Sequence, residues 1–213
     1  MRKIDKKINL KKVNLLLEER YIKNKRFINE NLTSDIDYVK SEFEKLEQVL
    51  RNGNDEFYKK EKDIIYYTGK PDGGTYAPGV GDAFYWAEAA LDKITYIDEI
   101  SIENGELHIP SFIERQGYKS DLLKKYDEIK DLDVIKLQYL LYRLDRSWFH
   151  FTSTESTTHG SGGFLFTDKY SLGECSCEVN IYNKFKEMIN NWLMNEYKPK
   201  YETLQKFIID KIK

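Results

Sequence analysis

Apolar residues recur at alternating steps of three and four along much of this chain, which is the spacing of helices that bury one face. The clearest run predicts a helix that begins at Thr33 or Ser34 as N-cap and stops at Gly53. The apolar positions of this run are Ile36, Val39, Phe43, Leu46 and Leu50. We therefore expect an amphipathic helix between the cap and the glycine.

A second run indicates a helix that is buried on several sides. Its apolar face follows the same spacing and is widened by further apolar neighbours. The members are Val134, Ile135, Leu137, Tyr139, Leu140, Leu141, Leu144 and Trp148. We expect this segment to form the central helix of the core.

Two further helices are indicated on either side of the central one. The first is expected to follow Asp82 as its N-cap, with Phe84, Ala87, Leu91 and Ile94 on its apolar face. The second lies near the C-terminus, where Pro199 should kink or end it before a final helical segment. Its apolar residues are Ile181, Phe185, Met188, Ile189, Trp192 and Leu193, and those of the final segment are Leu204, Phe207, Ile208 and Ile212.

Strand signals are few. A hairpin is predicted near residues 99–110, because the Asn104-Gly105 pair suits the positive φ angles of a two-residue turn. A second hairpin is predicted near residues 163–180. The fold class is therefore mainly α, or α+β. We expect one mainly helical domain over residues 31–213 with one or two inserted hairpins, and a basic helical arm over residues 1–30.

Composition and charge limit the classes of protein to consider. With 213 residues the chain can bury a core without disulfides, and no apolar stretch approaches the roughly 20 residues that span a membrane. We therefore expect a cytoplasmic protein with no membrane partner.

Residues 1–26 carry ten basic and three acidic side chains, whereas residues 27–183 carry a net charge of −12. Such a body repels nucleic acid and attracts basic protein surfaces, unless the basic ends pack on it and neutralise it.

Two segments, 71–92 and 147–168, contain no Lys or Arg in a chain that is otherwise rich in lysine. Both contain several glycines and aromatic residues, a combination typical of binding surfaces. The expected binding residues among the aromatics are Tyr76, Tyr85, Trp86 and Trp148. The alternative is that these rings are ordinary core residues.

Candidate chemistry concentrates around the second segment. His150, His159, Cys175 and Cys177 have the ligand types of a zinc site, although their spacing does not match known zinc frameworks. The alternative is two buried thiols and two loop histidines.

An anion pocket is a separate interpretation of the same region. In it, Arg143 or Arg146 would supply charge to a phosphate that is bound by the backbone of residues 159–163, which include Gly162, and by hydroxyls such as that of Ser161. A polar surface loop is the simpler interpretation.

A nucleophilic site is the third interpretation, with Cys175 or a hydroxyl of the loop activated by His150 or His159 and oriented by Glu155 or Glu174. Nothing in the spacing selects a nucleophile, so whether the chain is an enzyme is left open.

The leading hypothesis is a small intracellular inhibitor or adaptor that binds another protein through its acidic body and aromatic-edged loops. The residue usage is typical of an AT-rich coding sequence, which would suit a phage or mobile element. The competing hypothesis is a small enzyme or ligand-binding protein that acts on a phosphate-containing molecule at loop 150–163. We expect no cofactor and no nucleic-acid partner.

Overall fold

The structure, a computed structural model, describes residues 10–67, 80–92, 94–111, 131–152 and 179–213, with side-chain detail for most residues from 31 onward. Helices dominate these residues, and a small two-stranded antiparallel sheet accompanies them. The helices are α1 (Leu10–Tyr67), α2 (Val80–Leu91), a 3₁₀ helix (Ile94–Glu99), α3 (Leu132–Thr152), α4 (Val179–Trp192), a π turn (Leu193–Tyr197) and α5 (Lys198–Ile212). The strands are β1 (Ser101–Glu103) and β2 (Glu106–His108).

Helix α1 is much longer than the sequence pattern predicts. The expected cap is wrong, because Thr33 and Ser34 lie inside the helix, where Ser34 Oγ donates to the carbonyl of Asn31 at 2.7 Å. The predicted apolar face is buried, and it continues beyond Gly53 to Phe57. The helix also runs without a break through residue 30, where we expected the basic arm to end. The arm itself stays a prediction.

The expected stop at Gly53 is wrong for a reason of packing. A Cβ atom at this position would lie 2.4 Å from Trp192 Cζ2 and 2.7 Å from Phe84 Cε1, far inside van der Waals contact. The missing side chain lets α1 approach the two rings closely. The glycine therefore serves helix packing and does not end the helix.

Helix α3 occupies the place predicted for the central helix. Asp131 caps its N-terminus, since its Oδ1 accepts the backbone N–H groups of Asp133 at 3.0 Å and of Val134 at 3.3 Å. Its buried residues point to several sides, and the helix packs against α1, α2 and α5. Those buried residues are Ile135, Leu137, Gln138, Tyr139, Leu140, Arg143, Leu144, Ser147 and Phe151.

The two strands pair within the range predicted for the first hairpin. Asn104 and Gly105 connect them with φ angles of 53° and 82°, and Ile102 faces Leu107 in the register. Leu107 is buried in the core, while Ile102 on the same face is partly exposed. Of the second predicted hairpin at 163–180, only the last two residues lie within the described residues, and they begin α4.

Pro199 does not end the C-terminal helix. The chain is helical from Val179 to Ile212, and the irregularity is a π turn before the proline, in which the Lys198 N–H donates to the Leu193 carbonyl. Pro199 then lies in the first turn of α5, a position that tolerates proline. The expected cap of α2 is also wrong, because α2 begins at Val80, two residues before Asp82.

Candidate functional site

The two segments that lack Lys and Arg meet where α2 packs on the last turn of α3. Trp86 of α2 stacks on His150 of α3, with ring centroids 6.2 Å apart and an interplanar angle of 28°. Beneath them the buried rings of Phe84 and Phe151 pack edge to face at 5.3 Å. The described parts of the two segments therefore form one surface, although they are about sixty residues apart in sequence.

Four rings follow one another along this surface, and we call Tyr85, Trp86, His150 and Phe149 the aromatic row. Tyr85 lies edge-on to Trp86 at 5.3 Å, and Phe149 lies edge-on to His150 at 6.0 Å. Tyr85 is 60% exposed, and Trp86 and Phe149 are each 39% exposed. The guanidinium of Arg146 lies 4.7 Å from the centroid of the Phe149 ring. The row is thus an exposed aromatic surface with a cation at one end.

The histidine of the row is neutral at neutral pH. Burial against the neighbouring rings and the charge of Arg146 lower the pKa of His150 from 6.5 to about 4. A neutral imidazole can still donate or accept one hydrogen bond, but it adds no positive charge for a phosphate.

Arg143 is engaged inside the fold. The side chain is buried, and its guanidinium donates to Tyr139 Oη at 3.2 Å, to the Ala89 carbonyl at 2.9 Å and to the Asp92 carbonyl. The two carbonyls belong to the C-terminal end of α2. Carbonyl groups at a helix end accept no hydrogen bond from within the helix, so they need partners from elsewhere. Arg143 therefore fastens the end of α2 to α3 and so fixes the place of the aromatic row.

Trp148 lies on a different side of α3 from the aromatic row. It is half-buried, and its ring stacks on Tyr201 at 5.2 Å and on Tyr197 at 6.1 Å. The Tyr197 hydroxyl pairs with that of Ser147 in the core, while the Tyr201 hydroxyl donates to Asp145 Oδ1 at 2.9 Å. The aromatic contacts of Trp148 are thus made with the chain's own tyrosines.

The other predicted site residues lie outside the described residues, namely Tyr76, His159, Ser161, Gly162, Cys175 and Cys177. Among the residues that the structure describes, no group of three or more His, Cys, Asp or Glu side chains could hold a metal ion. None of the described helices combines the length and the apolar character that a membrane crossing requires.

Phe149 is a member of the row that the predicted binding residues omit. Its position three residues after Arg146 is a recognisable signal, because side chains three apart on a helix are neighbours. Chemically, the row offers aromatic faces and one neutral imidazole, with the guanidinium of Arg146 beside them, which suits it to contact with another molecule.

Comparison of the chain with protein-family models, with curated proteins and with solved structures gives no match.

Proposed function

We propose that this protein binds another protein inside the cell, as an inhibitor or adaptor, and that the aromatic row is the centre of the contact. One observation carries the proposal. Three partly exposed aromatic rings and the imidazole of His150 form a continuous row where the two segments without Lys or Arg meet.

The composition of the row matches that of binding hot spots, which are enriched in Trp, Tyr and Arg. Its rings already contact one another, and Arg146 already lies over Phe149. Side chains that are held in place before binding lose little conformational entropy in a complex. The row is therefore suited to supply contact area at a low ordering cost.

The charge of the chain supports the same function. Residues 27–183 carry a net charge of −12, which favours encounters with a basic protein surface and opposes binding to nucleic acid. The competing function, binding of a phosphate-containing molecule, has less support, because Arg143 is engaged within the fold and His150 is neutral at neutral pH.

The proposal is tested by affinity capture from a lysate of the native host, with quantitative mass spectrometry. The test variant is Tyr85→Ala/Trp86→Ala, and the matched control is Tyr38→Ala, which removes a 44% exposed ring that packs on Phe207 away from the row. Circular dichroism confirms that all three proteins are folded.

We expect one near-stoichiometric protein with the wild type and with the control, and its loss with the double variant. Equal capture by all three proteins would contradict a role for the row. If no protein is captured by the wild type, the binding function itself loses its support.

A further inference from the structure

We propose that the aromatic row recognises a basic segment of a partner protein, with a Lys or Arg side chain of that segment lying over Trp86 and Tyr85. This inference rests on the proposed function and names the chemistry of the partner. It follows from the charge around the row and from the order of the rings within it.

The segment that supplies Tyr85 and Trp86 is acidic in sequence. Segment 71–92 contains four acidic residues and no basic one, and α2 itself carries no Lys or Arg. Of the described acids nearby, Glu88 is paired with Arg51 at 2.9 Å and Asp92 is exposed. A partner's cation that approaches Tyr85 therefore meets no positive charge on α2, and the charge of the neighbouring Arg51 is offset by Glu47 and Glu88.

The rings at this end are suited to a cation. The faces of Trp and Tyr attract ammonium and guanidinium groups, and Trp does so best. The row already contains one contact of this kind, between Arg146 and Phe149, at the end opposite Tyr85. Among the described residues, no cation of the chain lies over Tyr85 or Trp86 in the same way. Within the described residues, the rings of Tyr85 and Trp86 thus carry no contact of this kind that a partner's cation would have to displace.

Arg146 is the charge that opposes the proposal. Its guanidinium contacts Phe149 of the row and would repel a basic partner, whereas an acidic partner could pair with it. The order of ring contacts places Phe149 and His150 between Arg146 and Trp86. The net charge of −12 over residues 27–183 already includes this cation, so the body that carries the row stays acidic with Arg146 present.

The test uses three synthetic peptides of equal length with the full-length protein. The first is rich in arginine, the second carries citrulline at each arginine position, and the third is rich in glutamate. Citrulline keeps the shape and planarity of the arginine head but removes its charge. Binding is measured by calorimetry, and the indole N–H resonance of Trp86, assigned with Trp86→Ala, reports contact at the row.

We expect the arginine peptide to bind and to shift the Trp86 resonance. The citrulline peptide should bind roughly two- to thirty-fold more weakly, which is the range that a cation–π contact supplies. In Tyr85→Ala/Trp86→Ala the difference between the two peptides should shrink by that factor and leave the long-range attraction of the acidic body, whereas Tyr38→Ala should keep the full difference.

Several results would overturn the inference. Equal binding of the arginine peptide to the wild type and to the double variant would show that the acidic body attracts it without the row. Tighter binding of the glutamate peptide would show that Arg146 selects the partner. Absence of arginine-peptide binding would also refute it. In each case, loss of a captured protein with the double variant would still support the proposed function, so the two failures are distinguishable.

Discussion

Replacing Gly53 with alanine should destabilise the protein, although the same change stabilises most helices. Gly53 lies in the interior of α1, where alanine is favoured over glycine by about 1 kcal/mol. The new Cβ atom would lie 2.4 Å from Trp192 Cζ2, 2.6 Å from Trp192 Cη2 and 2.7 Å from Phe84 Cε1. All three atoms belong to rigid rings, so none can move away by a simple rotation of a flexible chain.

The size of the effect follows from how tightly these rings are held. Phe57 packs against Trp192 at 5.7 Å and against Phe84 at 6.2 Å, and Phe151 packs against Phe84 at 5.3 Å. Overpacking of a core costs about 1–3 kcal/mol, and an overlap of this depth belongs in the upper part of that range. After the gain in helix propensity, we expect a net loss of about 1–2 kcal/mol. The melting temperature should fall by roughly 2–4 °C for each kcal/mol lost.

The assay is urea unfolding followed by circular dichroism. The control is Asn52→Ala, an exposed neighbour on α1 that should change the free energy of unfolding by less than about 0.5 kcal/mol. In a Trp192→Leu background the two clashing ring atoms are absent, so Gly53→Ala should cost less there than in the wild type. A Gly53→Ala variant as stable as the wild type would refute the packing argument.

Three further predictions concern the buried side chains of Arg143 and Ser147 and the partly buried side chain of His150. Arg143→Met should lower the free energy of unfolding by at least about 2 kcal/mol in urea titrations, because it leaves two carbonyls at the end of α2 without partners; a loss below about 0.5 kcal/mol would contradict the fastening role. Ser147→Ala should cost about 1–3 kcal/mol because it strands the buried Tyr197 hydroxyl, and adding Tyr197→Phe should recover part of that loss in the same assay; no recovery would argue against the pair. Since the folded state lowers the pKa of His150 to about 4, it binds this proton less readily than the unfolded chain, and stability should fall as the pH drops from about 6.5 towards 4. His150→Asn should weaken that fall in melting curves recorded across this pH range, and identical pH profiles would count against it.

The helical character of the fold could be predicted from the sequence, because the spacing of apolar residues is a local property. Helix ends were predicted less well, since the same residues serve different purposes in different surroundings. Gly53 resembles a stop signal, but the rings of Trp192 and Phe84 fill the space above it and make it part of a helix interface. Pro199 resembles a helix breaker, but a π turn precedes it and the helix continues.

The candidate site could likewise be predicted only in part from the sequence. The absence of Lys and Arg marked both segments, but only the packing of Trp86 on His150 shows that their described parts meet. Trp148 and Phe149 are neighbours in sequence with similar composition around them, yet one packs on tyrosines of the π turn and α5 while the other is exposed. Which side of α3 faces outward depends on α2 and α5, and a sequence rich in aromatics carries no local signal for that choice.

The π turn has a consequence for how residues are counted along the C-terminal helix. The buried residues Phe185, Ile189, Leu193, Tyr197 and Tyr201 follow one another at steps of four. In a regular α-helix each such step rotates the buried stripe by about 40°, so four steps would turn it roughly halfway around the axis. The wider turn offsets part of this rotation, and all five residues lie in the hydrophobic core. In an alignment or a redesign, Leu193–Tyr197 therefore has to be treated as containing a one-residue insertion. Deleting one residue there would rotate everything beyond it by about 100° and move Tyr201 away from Trp148 and Asp145.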